Sequence, residues 1–370
     1  MTPQTKLEKY GVALLASRVG KLGADPCGGS EVVLWEDAAI LKDAGIPVRV
    51  YGSAAFEGAP VNVLPLRTAL PLITSTEYAM KLLRKEREGL IVAYNEPSLA
   101  GWAPDRVIAR FDWSTALPSY WNWPVWRSRF RRARYLFPSE NERRLFFERN
   151  PGIPERCTSV IPNAVNLRLF RPAKSAIDNR PADALRVGYA GQWEPDKGIY
   201  DLLEAWPAVK SSVPSARLCL AGGAQLWKTV SEVPGAVACT EKVREMERNG
   251  MLTTVDSMPR NQMPAFWNSL EVAVVPSLHE AFGLVALEAM ACGIPVVAAA
   301  VGGLKEIVQE GESGLLFPPG NASALAQALV TLLTNETLRQ RLAQGALRRA
   351  EMFSLERRSR ALMQLFLERS

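Results

Sequence analysis

Histidine is almost missing from this sequence: His279 is the only one in 370 residues. Histidine-built metal clusters and Ser-His-Asp triads need imidazoles that the chain does not have, so both are set aside. Cysteine is sparse too. Cys27, Cys157, Cys219, Cys239 and Cys292 are odd in number, scattered, and never spaced C-x-x-C. That pattern argues against a disulfide framework and a zinc site, and fits a reducing compartment. No apolar run approaches the roughly 20 residues needed to span a bilayer, and the opening MTPQTKLEKYG is too polar for a secretory leader. A cytoplasmic location is expected, with peripheral attachment to the inner face of the membrane as its variant. Neither glycine loop has the G-x-G-x-x-G spacing of a tight dinucleotide site, which disfavours a plain NAD-dependent enzyme.

What is present is an ordinary globular composition, 48% hydrophobic and 22% charged, over a length that exceeds one common core and calls for two domains. The formal net charge of +6 fits anionic substrates, a membrane surface or nucleic acid, and chooses none of them.

Along the chain, Val12–Ala16 reads as a buried strand followed by a loop, Arg18–Gly29, that ends in a Gly-Gly pair. Ser30-Glu31 opens an apolar-periodic helix, and Pro47–Tyr51 is the next strand. Strand, glycine loop, helix, strand is a βαβ unit, which implies a parallel sheet with right-handed crossovers. Leu90–Tyr94 and Tyr135–Phe137 are further strands, the latter running through Ser139 into a helix over Asn141–Arg149. The stretch Phe170–Ala182, rich in Pro, Asn, Asp and Ser, is the expected linker. Beyond it the alternation restarts with strands at Leu185–Tyr189, Ala216–Ala221, Glu271–Pro276 and Val296–Ala300. The expectation is an α/β chain of two Rossmann-like domains, 1–172 and 183–354, with a final amphipathic helix over about 355–370 packing back on the first.

Between Gly101 and Tyr135 the composition changes. Trp102, Trp113, Trp121, Trp123 and Trp126 are five of the ten tryptophans, and Arg127, Arg129, Arg131, Arg132 and Arg134 follow directly. Core tryptophans beside a solvated arginine face is one reading. An aromatic and basic patch over 121–134 that meets anionic lipid head groups or an anionic acceptor is the other. Nucleic acid is not expected, since no recognisable nucleic-acid module accompanies the patch.

The densest chemistry lies in Leu278–Gly303, LHEAFGLVALEAMACGIPVVAAAVGG. Glu280 and Glu288 flank a short apolar run, and carboxylates in a buried helix are costly unless paired. Ligands of open parallel sheets sit beyond the carboxyl ends of strands, where helix N-termini point. The backbone N–H groups of Phe282, Gly283 and Leu284 are placed to bind an anion there. Counted as helix, the eight residues from Glu280 to Glu288 rise about 12 Å, putting the carboxylates on opposite sides of that anion. A nucleoside diphosphate-sugar matches the order: sugar at Glu280, diphosphate at the helix start, ribose hydroxyls at Glu288. Lys197, in the loop Trp193–Gly198, supplies a point charge for the diphosphate.

The run PSLHEAFGLVALEAMACGIPVVAAAVGGLKEIVQEGESGLLF closely resembles the signature of family-4 glycosyltransferases, retaining enzymes of the two-Rossmann-domain GT-B fold. GYAGQWEPDKGIYDLLEAW, LCLAGGA (with Gly222) and SVIPNAVNLRLFRP carry the resemblance through the second domain and the linker. In the first domain only the Gly28-Gly29 loop and the Ser-Glu-Asn segment at Ser139 match. The resemblance implies parallel sheets facing a central cleft. It implies that Glu280 contacts the donor sugar and Glu288 the ribose, that Phe282, Gly283, Leu284 and Val285 bring backbone to the phosphates and sugar, and that Lys197 binds the diphosphate. Gly28 and Gly29 would close over the diphosphate from the first domain. The family usually has an arginine where this chain has Gln192, and a neutral amide cannot replace a guanidinium on a developing diphosphate charge. Arg18, Lys21 and Arg260 are the substitutes to consider. Family members commonly carry a first-domain histidine facing the sugar, and Asp112 in Arg110-Phe111-Asp112-Trp113-Ser114 is its nearest local equivalent.

The implied reaction is metal-independent, without a cofactor: a sugar moves with retention from a UDP or GDP donor to an acceptor hydroxyl of a glycan, lipid-linked or polysaccharide precursor. No Asp-x-Asp motif is present to hold a metal. Gln192 and the missing first-domain histidine motivate the alternative of a catalytically degraded partner subunit that binds nucleotide sugar; a nucleotide-sugar epimerase or a phosphorolytic enzyme keeps the fold with other chemistry.

Overall fold

A computed structural model describes residues 2–16, 29–52, 63–65, 81–112, 116–173, 185–223, 235–255 and 257–368. Arg18, Lys21, Gly28, Trp113, Ser114 and the linker stretch beyond Ala173 lie outside them. The chain divides into two compact units, Met1–Asn163 with Leu355–Ser370, and Ala164–Ser354. Ala164–Pro172, placed with the first domain on sequence, thus goes with the second. The final helix, Leu355–Leu367, goes with the first.

Each unit is a parallel sheet with flanking helices. The first sheet has β1 (Val12–Leu15), β2 (Val48–Gly52), β3 (Val63–Pro65), β4 (Leu90–Tyr94), β5 (Val107–Arg110), β6 (Arg134–Phe137) and β7 (Thr158–Val160), in the order β3-β2-β1-β4-β5-β6-β7. The second has β8 (Leu185–Gln192), β9 (Ala216–Gly223), β10 (Leu252–Val255), β11 (Val272–Val275), β12 (Val296–Ala299) and β13 (Gly314–Phe317), in the order β10-β9-β8-β11-β12-β13. Both orders reverse direction after their first strand, at β1/β4 and at β8/β11. Such a reversal opens a crevice at the carboxyl ends of the strands.

Helices cover both faces, so the central strands are apolar without alternation. Every residue of β1, β4, β11 and β12 is buried, and burying a Val or Leu side chain contributes about 1.5–3 kcal/mol. β5 is buried throughout as well, but its Val-Ile-Ala-Arg run is only four residues long and ends in a charge, too short to stand out on sequence. The helix Leu284–Ala291 fits the same logic: apolar nearly all round, it is buried from Ala286 to Ala291.

The first unit is closed by one buried charge cluster. Arg358, from the final helix, donates through Nε and Nη2 to the two oxygens of Asp37 at 2.7 and 2.8 Å, and through Nη1 to the Pro162 carbonyl at 2.7 Å. The Tyr94 hydroxyl donates to the same carboxylate at 2.5 Å. Burial alone would disfavour the guanidinium, yet Asp37 holds Arg358 above its ordinary pKa. The five tryptophans of the Gly101–Tyr135 stretch separate. Trp121 is buried, Trp102 and Trp126 meet edge to face at 4.8 Å, Trp123 remains 63% exposed, and Trp113 is not described.

Candidate active site

In the second unit the residues predicted for the donor come from the carboxyl ends of β8, β9 and β11, the strands around the reversal. Two close fits lock the loops together. Gly198 has φ 67°, and a Cβ there would stand 1.8 Å from the Pro276 carbonyl oxygen; only glycine allows the approach. Leu278 N–H then donates to the Asp196 carbonyl at 2.9 Å. The lysine loop is thereby pinned to the glutamate loop, and Lys197 Nζ lies 3.0 Å from Glu280 Oε2. Ser277 Oγ donates to the same oxygen at 3.3 Å. The Glu280 charge holds the Lys197 ammonium above its ordinary pKa, against the opposing effect of burial.

The two glutamates do not lie on one continuous helix. Glu280 sits in a loop, where Gly303 N–H donates to its carbonyl at 2.9 Å, and the helix starts only at Leu284. Only the step from Leu284 to Glu288 is helical, a rise of about 6 Å, so the count of eight helical residues does not hold. Gly283 precedes that start with φ 107° and no side chain caps the helix. The N–H groups of Leu284 and Val285 therefore open the first turn without a side-chain acceptor. Phe282 is buried and packs edge to face on Phe353 at 5.8 Å. Its backbone borders the helix start while its ring fixes the loop.

Glu288 faces Arg260, whose Nε donates to Oε1 at 3.0 Å. Burial pushes the Glu288 carboxyl up in pKa and Arg260 opposes it. The Arg260 guanidinium also lies over the Phe170 ring, 5.3 Å from its centroid. Gln192 ends β8 beside Gly222-Gly223 of β9, with Gly191 paired to Gly222 and Gln192 to Gly223. Its carbonyl accepts from the Tyr189 hydroxyl at 2.5 Å.

The first unit holds the remaining candidates. Gly29 is exposed at the start of the helix Gly29–Asp43. Asp112, just past β5, is not a solvated loop carboxylate: its side chain is only 7% exposed and lies 2.8 Å from Arg110 Nη2. Arg110 is fully buried, and its Nη2 also donates to Asn163 Oδ1. Asn95 brackets the ends of two strands and a helix. Its Oδ1 accepts from Asp112 N–H at 2.8 Å and its Nδ2 donates to Ser30 Oγ at 3.4 Å. Asn95 has φ 54°, a left-handed conformation that asparagine tolerates better than other residues with a side chain. Next to Ser30, Glu31 is 4% exposed and its Oε2 has no hydrogen-bond partner. Burial raises its pKa to about 7; its own backbone N–H opposes and the Asp112 charge adds. On sequence Ser30-Glu31 marks only a helix start, and Asn95 carries no local signal. The placement of Glu31 two residues after the Gly-Gly pair is the one clue in the sequence.

The family model described as glycosyl transferases group 1 matches residues 170–349. Among curated proteins, the D-inositol 3-phosphate glycosyltransferase of Corynebacterium glutamicum (strain R) is 32% identical over 212 residues, 54% of this chain and 49% of that protein. The protein of the same description from Acidothermus cellulolyticus is 35% identical over 211 residues, 52% and 44% of the two chains. The chain thus spans about half the length of the curated relatives it matches. Among solved structures, sucrose-phosphate synthase from Thermosynechococcus elongatus has a TM-score of 0.79 at 26% identity, covering 96% of this chain and 98% of that one. Anabaena HepE in complex with UDP-glucose has a TM-score of 0.75 at 20% identity, with the same coverage, a likeness of fold. Both units therefore have the architecture of the two-Rossmann-domain fold, and residues 170–349, which contain Lys197, Glu280 and Glu288, match the glycosyl transferases group 1 family.

Proposed function

We propose that the chain is a glycosyltransferase that moves a sugar from a nucleoside diphosphate-sugar to an acceptor hydroxyl. One observation carries the reading: a lysine held 3.0 Å from a glutamate in the loop that leads to a helix start no side chain caps. A diphosphate supplies the anion that the first-turn N–H groups lack, and the ammonium beside them is a second partner for it. In this reading Lys197 exchanges part of its contact with Glu280 for the diphosphate, and Glu280 turns to the sugar hydroxyls. Glu288, oriented by Arg260, takes the ribose hydroxyls with its second oxygen. Gln192, Gly222, Phe282, Gly283, Leu284 and Val285 border the nucleotide and sugar, Gly28 and Gly29 belong to the diphosphate, and Asp112 to the transferred sugar.

The step is a front-face substitution with retention. The bond from the anomeric carbon to the diphosphate oxygen breaks, the bond to the acceptor oxygen forms, and the acceptor proton passes to the leaving diphosphate. Lys197 and the helix start stabilise the charge that develops on the leaving group, so catalysis is electrostatic and positional. UDP-glucose is the first donor to try, because a protein of the same fold carries it.

The test is ligand-induced stabilisation, which any ligand specific to the native state must produce. UDP or GDP at millimolar concentration is expected to raise the melting temperature. A flat response to UDP, GDP, ADP and dTDP alike removes donor binding. Slow hydrolysis of the donor in wild type and Glu280→Ala is the companion measurement: an unchanged rate in the variant takes Glu280 out of the site.

A second partner rests on its own observation. Trp123 and Val125 are 63% and 74% exposed, and Arg127, Arg129, Arg131 and Arg132 beside them are exposed too. We propose that this face seats on an anionic bilayer, with the indole at head-group depth and the guanidinium groups on lipid phosphates. Among the described residues no helix is long and apolar enough to cross a membrane, so the attachment is peripheral. Vesicle co-sedimentation should rise with anionic lipid content and fall with salt. Binding indifferent to lipid charge counts against it.

A further inference from the structure

The loop that carries Glu280 meets two neighbouring loops, and at both it meets glycine. Its start, at Pro276, lies against Gly198, and its middle lies against Gly302 and Gly303, which follow β12. A Cβ on Gly302 would stand 1.9 Å from the Glu280 carbonyl oxygen. One on Gly303 would stand 2.5 Å from the Phe282 Cα and 2.6 Å from the Ala281 carbonyl oxygen. Heavy atoms do not approach so closely, so an added side chain forces backbone to move. Gly302 also has φ 43°, where glycine alone is at ease. The Gly303 N–H then donates to the Glu280 carbonyl at 2.9 Å. The backbone of Glu280 is thus seated directly on the backbone of the β12 loop.

The carboxylate is held separately. Ser277, buried at 3% exposure, donates from Oγ to Glu280 Oε2 at 3.3 Å, and Lys197 Nζ reaches the same oxygen at 3.0 Å. Oε1 takes no hydrogen bond among the described residues. The two oxygens are therefore unlike: one is tied to the protein and the other is left to a ligand. When Lys197 turns to a diphosphate, Ser277 is the donor that stays on Oε2. We infer that Gly302 and Ser277 are positioning residues for Glu280, the first through its backbone and the second through its carboxylate. Together they aim Oε1 at the hydroxyls of the donor sugar, and neither touches the sugar itself. The inference deepens the glycosyltransferase reading and rests on it for the donor; the hold on Glu280 stands on the geometry of the loops after β8, β11 and β12.

The test sets Ser277→Ala and Gly302→Ala of the full chain beside a control, Gly320→Ala, whose glycine has φ 71° but nothing within 4 Å of an added Cβ. Melting temperature is followed with UDP, UDP-glucose, GDP and GDP-mannose, and slow donor hydrolysis gives kcat and KM. The rise caused by a nucleoside diphosphate alone is expected to match wild type in all three, because it draws on Lys197 and the helix start. The further rise from the attached sugar is expected to vanish in Gly302→Ala and to shrink in Ser277→Ala. In Gly302→Ala kcat should fall about a hundredfold, the size of a misplacement near 1 Å. In Ser277→Ala it should fall about tenfold, as for one lost hydrogen bond to a charged group. KM should change far less than kcat in both. Gly320→Ala should keep the sugar increment and kcat of wild type. Equal loss of stabilisation by nucleotide and by nucleotide sugar in Gly302→Ala overturns the assignment, because the glycine is then scaffolding for the whole loop. Should that variant fail to fold, Ser277→Ala, which removes one buried hydroxyl, decides alone: a wild-type sugar increment and kcat in it overturn the inference. A wild-type protein that responds to no nucleoside diphosphate overturns the donor reading itself, and this inference falls with it. A wild type that responds while both variants match it overturns the inference alone.

Discussion

The two strand-end regions keep their charges in opposite ways. In the second unit the pairs reach water: Lys197 and Glu280 are 35% and 20% exposed, and Arg260 is 24% exposed although its partner Glu288 is buried. In the first unit Arg358 and Asp37 are 1% and 2% exposed, and Arg110 is fully buried. A half-solvated pair is worth little and can be exchanged for another partner. A fully buried pair is expensive to break because the survivor has no water to turn to. The second unit is thus arranged to give up contacts to a ligand. The first holds its charges as scaffolding, with Glu31 as the unpaired exception.

The comparison breaks most visibly at Arg358. Replacing it with Met strands Asp37 among Tyr94 and the carbonyls of Ile161 and Pro162, and should cost about 3–5 kcal/mol in chemical denaturation. Arg358→Met combined with Asp37→Leu should recover much of that loss. If the single variant melts like wild type, burial is not what distinguishes the two regions. Lys197→Ala tests the opposite case. Here stability should move little, while transfer falls by about 10²–10³, the size expected for losing one group aimed at developing charge. A Lys197→Ala protein that melts far below wild type would mean that the Lys197–Glu280 pair is scaffolding too.

Much of this contrast follows from where each region lies in the sequence. Lys197, Glu280 and Glu288 sit in runs whose glycines, strands and helix start are contiguous, so local pattern singles them out as candidates. The short β5, Asn95 at positive φ and the buried Arg110 are products of long-range packing, in which one residue's partner lies tens of positions away. Glu280 shows the limit even in the readable region. The apolar pattern announced a helix, but the close approach of Gly303 N–H to the Glu280 carbonyl, a contact across 23 residues, holds that residue in a loop.

Glu31 offers a quieter measure, because its exception has a sign in pH. Its carboxyl ionises near 4.5 in the unfolded chain and at about 7 in the folded one. Between these values the native state binds more protons, so the group's contribution to stability is intact below about 4.5 and is lost as pH rises through 7. At pH 8 the full cost is about 3 kcal/mol. Glu31→Gln should therefore be more stable than wild type at pH 8, with the gain shrinking toward pH 5. A difference that does not change with pH would mean that the carboxyl titrates normally and is paired.

The smallest expected effect concerns a charge the second unit lacks. Family resemblance expects arginine at position 192, and the structure shows no substitute for it among the described candidates. Arg18 and Lys21 lie outside the described residues. Arg260 is committed to Glu288 at 3.0 Å and lies over Phe170, so its charge is held at the residue proposed for the ribose. Gln192 is half-buried at the end of β8, and its fixed contact is through the backbone carbonyl to Tyr189. The side chain can change without disturbing the strand. Gln192→Arg should leave the melting temperature in place and raise the rate of transfer about tenfold, the return on one charge-assisted contact to the leaving group. An unchanged rate would show that Lys197 and the helix start already carry the leaving group's charge, and that the missing arginine is no deficit in this chain.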